Sequence, residues 1–383
     1  MKKLLSILLA LALVLSTASF AVAEAATGTW KIAILTGTTT QGEEEFRAAE
    51  KLQELYPDHV LTDTYPDNFS SETETTIGKV IEFASNPDVK AIIFVQAVQG
   101  CTAAYTQIVQ EMGREDILLI AGVPAEDPSV ISPAADVVLS VDEPGCGYQV
   151  VDISKNWGLD ALVHLSFARH MSYETIVAKY NNMKEAADDQ GVEFLTLDVS
   201  DPTGDAGMTG AQNSLIDVVS SVMEQYGPDK KIGFYTTNCG LQETLQAQVL
   251  AYPNAYYPLP CCPSPFHGFP ASLGIEVTAD QYGDVPSYLK TMAGILEGHE
   301  ATGRFSTWGV PINMSMIYGC YAYAEKWING EFTEKLNEEA LLKCISEAAG
   351  NPCTFSKYED GNGNSFNNYF MILCQNIDFN DYK

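Results

Sequence analysis

Lys31-Ile32-Ala33-Ile34-Leu35-Thr36-Gly37 and Lys90-Ala91-Ile92-Ile93-Phe94-Val95-Gln96 are near-unbroken apolar runs, each ending in polar or glycine residues. A strand with one wet face would alternate apolar and polar positions. These do not, so they read as strands covered on both faces, which is the mark of a parallel sheet. Val60–Tyr65, Ile117–Val123 and Val137–Val141 continue the series. Between them the spacing predicts helices at about 41–56, 71–85 and 102–114. The first opens on Gln41-Gly42-Glu43-Glu44-Glu45, with its acids where the helix dipole favours them. The second, from Ser71-Glu72-Thr73-Glu74, has the same character.

A connecting stretch, Asp142-Glu143-Pro144-Gly145-Cys146-Gly147, interrupts the pattern, which then starts again. New strands are expected at Ala161–Phe167, Glu193–Val199, Lys231–Thr237 and Ala255–Leu259, with helices near 173–190, 207–226 and 240–250. The result is an α/β chain of two lobes with similar winding and no visible sequence repeat. Five prolines crowd 258–274, a stretch read as an extended, stiff connection. Beyond it come 273–278, a helix near 280–298, a strand around Arg304–Trp308 and a helix from about 313 to 329. The expected division is a leader at 1–23, lobe 1 at 28–142, lobe 2 at 143–262, a segment at 263–330 returning to lobe 1 with crossovers, and a C-terminal helix and hairpin at 331–383. Residues 142–147 and 258–274 are expected to run between the lobes, with a third crossing nearer the C-terminus.

Composition narrows the function classes. The 383 residues carry 21 basic and 50 acidic side chains, a net charge of −29. Nucleic acid and anionic membranes need a cationic face, so neither is an expected partner. Lys2-Lys3, an apolar run from Leu4 to Leu15 and Ala21-Val22-Ala23 compose a secretory leader with its cleavage site. The expectation is therefore a secreted protein, periplasmic or extracellular, with the leader removed and no lipoprotein cysteine at the cut. Nine cysteines leave at least one unpaired within the chain. The absence of CxxC, with only five histidines, argues against a structural zinc site. No cofactor or metal is expected.

In open parallel sheets, ligands meet the carboxyl ends of the strands. Those positions here hold Thr36, Thr38, Tyr65, Gln96, His164, Thr236, Thr237 and Asn238. Any one of them could simply cap a helix. Spread over both lobes, they describe a polar cleft, and Thr36, Thr38, Tyr65, Gln96, Asn238 and Trp308 are expected to face it. The Trp308 indole would stack on an apolar ligand face.

Lys31–Thr38, Tyr65-Pro66-Asp67-Asn68-Phe69, Lys90–Gln96 and Gly303-Arg304-Phe305-Ser306-Thr307-Trp308 resemble an uncharacterised bacterial family related to type I periplasmic binding proteins, the group of sugar-binding and basic-membrane-protein receptors. The resemblance runs to about residue 330. It implies two Rossmann-like lobes with parallel sheets, several crossovers, hinge closure and a small polar ligand between the lobes. That ligand would be a sugar, nucleoside, amino acid or signal molecule. An ABC permease or a membrane sensor would be the partner.

Two other classes compete with a receptor. One is an extracytoplasmic enzyme using Cys101 and Cys239, which sit at strand-to-helix turns, one per lobe, and resemble the two-thiol pair of aspartate and glutamate racemases. The other is a partner-binding protein with a vestigial cleft. No G-x-S-x-G or nucleotide-binding glycine motif supports another chemistry, and Cys262 with His267 is only close in sequence. Finally, a hairpin turn centred between Gly363 and Asn364 sets Cys353 opposite Cys374, a candidate disulfide. A shifted turn would instead leave Cys344 as a partner for one of them.

Overall fold

The computed structural model describes residues 29–382 apart from 203, 279–280, 283 and 360–362. The leader expected at 1–23 and part of the hairpin turn lie outside the described residues. The first lobe is built from β1 (Lys31–Thr36), α1 (Thr39–Leu55), β2 (Val60–Thr64), α2 (Thr73–Ser85), β3 (Val89–Val95), α3 (Cys101–Gln110), β4 (Leu118–Gly122), α4 (Pro128–Ile131) and β5 (Val137–Val141). The second holds α5 (Glu143–Asn156), β6 (Ala161–Ser166), α6 (Glu174–Gln190), β7 (Glu193–Asp198), α7 (Gly207–Tyr226), β8 (Ile232–Thr236), α8 (Gln242–Ala251) and β9 (Ala255–Tyr256). Then come α9 (Phe269–Leu273), α10 (Val285–Gly298), β10 (Ser306–Trp308), α11 (Ile312–Ile328), α12 (Glu338–Ala349), β11 (Cys353–Glu359), β12 (Ser365–Cys374) and β13 (Asn376–Asp378).

The fold is α/β with mostly parallel sheets. A seven-stranded sheet runs β11-β12-β5-β4-β3-β1-β2, and a four-stranded sheet runs β7-β6-β8-β9. Within these two sheets all pairs are parallel except the β11–β12 hairpin. As their composition demands, β1, β3 and β4 are buried almost throughout. One face of the large sheet packs under α2 and α3, the other under α1 and α11.

Two segments differ from the sequence expectation. Residues 142–147 are not a plain connection, because Glu143 begins α5. Asp142 caps that helix by accepting the Gly145 N–H, and Pro144 falls in the first turn, where its missing N–H costs nothing. Gly147 is required where α5 meets α6, since a Cβ there would lie 2.5 Å from the Lys179 carbonyl oxygen. The proline-rich stretch also holds a short helix, α9, with Pro270 in its first turn. Leu273 ends that helix, and 275–278 has no regular structure.

The C-terminal segment completes the large sheet. β12 lies parallel to β5, pairing Tyr369 with Val138 through Ile372 with Val141. β13 then pairs antiparallel with β10, beside the place where the chain passes from one sheet to the other. Arg304 explains part of the Gly303–Trp308 motif. Its buried guanidinium donates to the carbonyls of Val249, Tyr252 and Ala255, closing the end of α8 onto β9.

Two outcomes follow. Arg304→Met leaves those carbonyls without their charged donor and should cost about 3 kcal/mol, read as a lower denaturant midpoint at unchanged slope. Cys353 and Cys374 stand directly opposite in the β11–β12 register, their sulfurs 2.7 Å apart and unbonded. In oxidising medium, non-reducing peptide mapping should recover these two joined, and reduction should then lower stability by about 3 kcal/mol. Finding both thiols alkylatable in the folded, oxidised chain would refute the pairing.

Candidate functional site

β1, β3, β4 and β5 all point their carboxyl ends toward the second sheet, and a cavity of about 430 Å³ opens there. Its first wall comes from Thr39 and Gln41–Glu45 of α1, Gln96 and Val123 just past β3 and β4, and Val141 of β5. The opposite wall is Glu143 at the start of α5, Cys262–Ser264, Phe266, His267 and Tyr282. Ile312 and Asn313, in the first turn of α11, close one end. The volume suits a small solute.

The backbone is strained at this place. Gln96 and Val123 hold φ of 54° and 46°, and the only other non-glycine described residue with positive φ is Glu300. A β-branched residue in that region is unfavourable by of order 1–3 kcal/mol and persists only where the surroundings impose it. Both strained residues line the cavity.

The floor is a polar network. Glu45, 2% exposed, accepts from Gln96 Nε2 at 2.7 Å and from Asn313 Nδ2. Gln96 Oε1 accepts from the Tyr65 hydroxyl at 3.3 Å. Gly42 leaves room for this network, because a Cβ there would lie 2.9 Å from Gln96 Nε2 and 2.6 Å from Glu45 Oε2. The backbone is extended at Gly42, so the helix restarts beyond it and carries Glu43, Glu44 and Glu45 in its new first turn.

Each remaining carboxyl has its own compensation. Glu43 pairs with Arg47 at 3.2 Å, and Glu143 pairs with the buried Lys179. Glu44 accepts from the Ser264 hydroxyl. The side chain is half-buried on the cavity wall. That desolvation pushes its pKa up to about 8, against the Ser264 hydrogen bond and aided by the charges of Glu45 and Glu43. Burial also raises Tyr282 to about 12 and lowers His267 below the usual imidazole range.

The six residues expected in the cleft do not share this cavity, because Gln96 alone lines it. Tyr65 stands behind Gln96, 1% exposed. Thr36 is buried, and Thr38 bonds Asp67 beyond the rim. Asn238 caps the turn before α8 and lies 3.4 Å from His170 Nε2, in a polar cluster with Thr237 and Ser166. Trp308 is 2% exposed and packs among Cys146, Leu162, Tyr235 and Cys261. It sits in a core rather than at a cavity wall because β10 is sandwiched where the sheets meet. His164 is shut among Tyr180, Phe194 and Tyr235, and burial lowers its pKa to about 4.

The two-thiol enzyme reading loses its geometry. Cys101 has no exposed surface, packs in the first lobe's core with Ala104 and Tyr105, and is pushed well above the ordinary thiol range by burial. Cys239 is bonded to Cys262. Cys262 and His267 do both face the cavity, but that bond removes the nucleophile a dyad would need. Sequence reasoning missed Glu43–Glu45 as cavity residues, reading them only as acids suited to a helix start. It also missed Glu143, Ser264, Phe266, Tyr282 and Asn313. The signal within reach was the acidic triplet directly after the first strand's polar end.

Two lobes with parallel sheets, several crossovers and a cavity between them define the type I periplasmic-binding-protein fold. The chain belongs to the family described as "Protein of unknown function (DUF3798)", whose model matches residues 30–306. An "Uncharacterized protein" of Treponema pallidum (strain Nichols) is 30% identical over 182 residues, 46% of this chain and 81% of its own. Among solved structures, a putative transcriptional regulator from Clostridium difficile 630 superposes with a TM-score of 0.82 at 16% identity, covering 92% of this chain and 99% of that one. A sugar ABC transporter from Actinomyces odontolyticus gives 0.56 at 8% identity, over 92% and 96%. Among the described residues, no helix is long and apolar enough to cross a membrane.

Glu44 gives the site a pH signature. Between about pH 4.5 and 8 the folded chain keeps the Glu44 proton that the unfolded chain has lost. Its contribution therefore favours folding at acid pH and declines as pH rises through that window. In Glu44→Gln this decline should vanish, so the melting temperature of the variant relative to wild type should climb across the window and level off above it. A difference that does not change with pH would contradict the enclosure of this carboxyl.

Proposed function

We propose that the chain is an extracytoplasmic solute-binding protein that captures a small polar solute between its lobes. The observation that carries the reading is the interlobe cavity, walled by both lobes and holding two strained residues at the strand ends. The fold shared with the sugar ABC transporter of Actinomyces odontolyticus supports it. Hydrogen-bond acceptors dominate the wall, so the solute brings donors, as hydroxyls or an ammonium group. Phe266 and Tyr282, their rings 4.5 Å apart, offer an apolar face for stacking. Binding works by population shift: the open form exposes both walls, and a solute touching both favours closure by that differential contact. The closed form then delivers its solute to a membrane permease or reports it to a sensor.

The decisive experiment denatures the purified protein and identifies any released solute by mass spectrometry, then repeats the measurement with panels of sugars, amines and organic anions by thermal shift. A solute at a hundred times its Kd should stabilise the folded chain by about 2.7 kcal/mol. Sugars or amines should act and anions should not. Tyr282→Leu, which removes half of the stacking face, should weaken binding up to about tenfold. No stabilisation by any panel member, together with nothing released, would overturn the reading.

A further inference from the structure

Three cysteine sulfurs converge beside the cavity, and the bond between two of them leaves the third unexplained. Cys239 begins the turn before α8, while Cys261 and Cys262 are adjacent in the proline-rich stretch. The Cys261 sulfur lies 3.5 Å from that of Cys239 and 3.6 Å from that of Cys262. A structural disulfide has no use for a buried third sulfur held equally close to both of its atoms. One ion with metal–sulfur bonds of about 2.3 Å does, because tetrahedral geometry then sets the sulfurs about 3.8 Å apart. Pro260 and Pro263 flank the adjacent pair and restrict its backbone, so the two sulfurs are held in place before any ion arrives.

We propose that the reduced chain binds one soft d10 cation, Zn²⁺ or Cu⁺, through the thiolates of Cys239, Cys261 and Cys262. The donor set is all sulfur, which selects thiophilic ions over Mg²⁺ or Ca²⁺. Cys261 is buried, Cys262 is half-buried at the cavity and Cys239 is exposed, so the site has a solvent entry and a closed inner side. Loading needs a two-electron reductant of the dithiol or phosphine class. It breaks the Cys239–Cys262 bond and two S–H groups form. Each of the three thiols then gives up its proton as its bond to the ion forms. Adjacency in sequence concealed the site, since no CxxC spacing announces it.

The test uses the full-length protein, reduced anaerobically with a phosphine, its free thiols verified by intact mass and the reductant removed. One sample is titrated with Zn²⁺ and another with Cu⁺, each against a chromophoric chelator of known affinity. One equivalent of either ion should bind, the two arms showing which is held more tightly. Cys239→Ser and Cys261→Ser should each lower affinity about a hundredfold or more. Cys239 is exposed, so its variant keeps the test informative should Cys261→Ser fail to fold. The Cys353→Ser, Cys374→Ser double variant, which lacks the other close pair, should bind as wild type does. Absence of binding in both arms, unchanged affinity in Cys239→Ser, or loss of binding in the double variant would overturn the assignment.

Discussion

A carboxylate cannot be taken out of water without donors to replace it, and Glu45 is met by two amide side chains from distant parts of the chain. Gln96 stands past the end of β3 and Asn313 in the first turn of α11, so one carboxylate ties together elements separated by more than two hundred residues. The requirement spreads outward. Gln96 takes a left-handed backbone to reach it, and Gly42 gives up a side chain to make room. α11 must then lie against α1 on one face of the large sheet, where Tyr56 and Tyr321 stack with ring centres 5.1 Å apart. The cavity exists because these three elements leave space above the network they share.

Under the closure proposed above, movement between the lobes would be absorbed by the segments that cross between the sheets. The chain passes from β5 to α5 within two residues, and Asp142, half in each, holds the start of α5. β10 and β13 cross side by side, joined by the Ser306 hydroxyl to the Ile377 carbonyl and by Asn376 Nδ2 to the Ser306 oxygen. The C-terminal hairpin belongs to this arrangement. By adding β12 to the edge at β5, it fixes the strand from which the first crossing departs.

Most of the strands and the parallel sheets were legible, because runs such as Ala91–Val95 admit no other placement in a chain of this composition. The helix at Glu143–Asn156 was not. Pro144, Gly145 and Gly147 read as breakers, whereas in a first turn proline is tolerated, and Gly147 answers a close approach that sequence cannot reveal. The register of Cys353 opposite Cys374 was legible, but the turn centre was not, because a shift between Lys357 and Glu359 sets Glu359 opposite Ser365 rather than placing the turn between Gly363 and Asn364. The cavity was poorly legible for a physical reason. Strand ends name the edge where a ligand sits, but which side chains project there depends on the second lobe, and its wall comes from the loop at 262–267 rather than from β8. Trp308 illustrates the difference, since a strand-terminal indole suits a cleft or a core equally, and only packing decides.

The lining also separates acceptor richness from charge. Four glutamates border the cavity in a chain of net charge −29: Glu143 is answered by Lys179, Glu43 shares Arg47 with Glu50, and desolvation raises the pKa of Glu44. Glu45 is met by two amides, both of which donate to its Oε1. What remains is a wall rich in acceptor atoms. On the solute-binding reading proposed above, such a wall would discriminate first by how many donors a solute presents and only second by its sign. An anion would have to displace the existing partners of these carboxyls before finding a donor of its own, because the cations that answer them are already engaged.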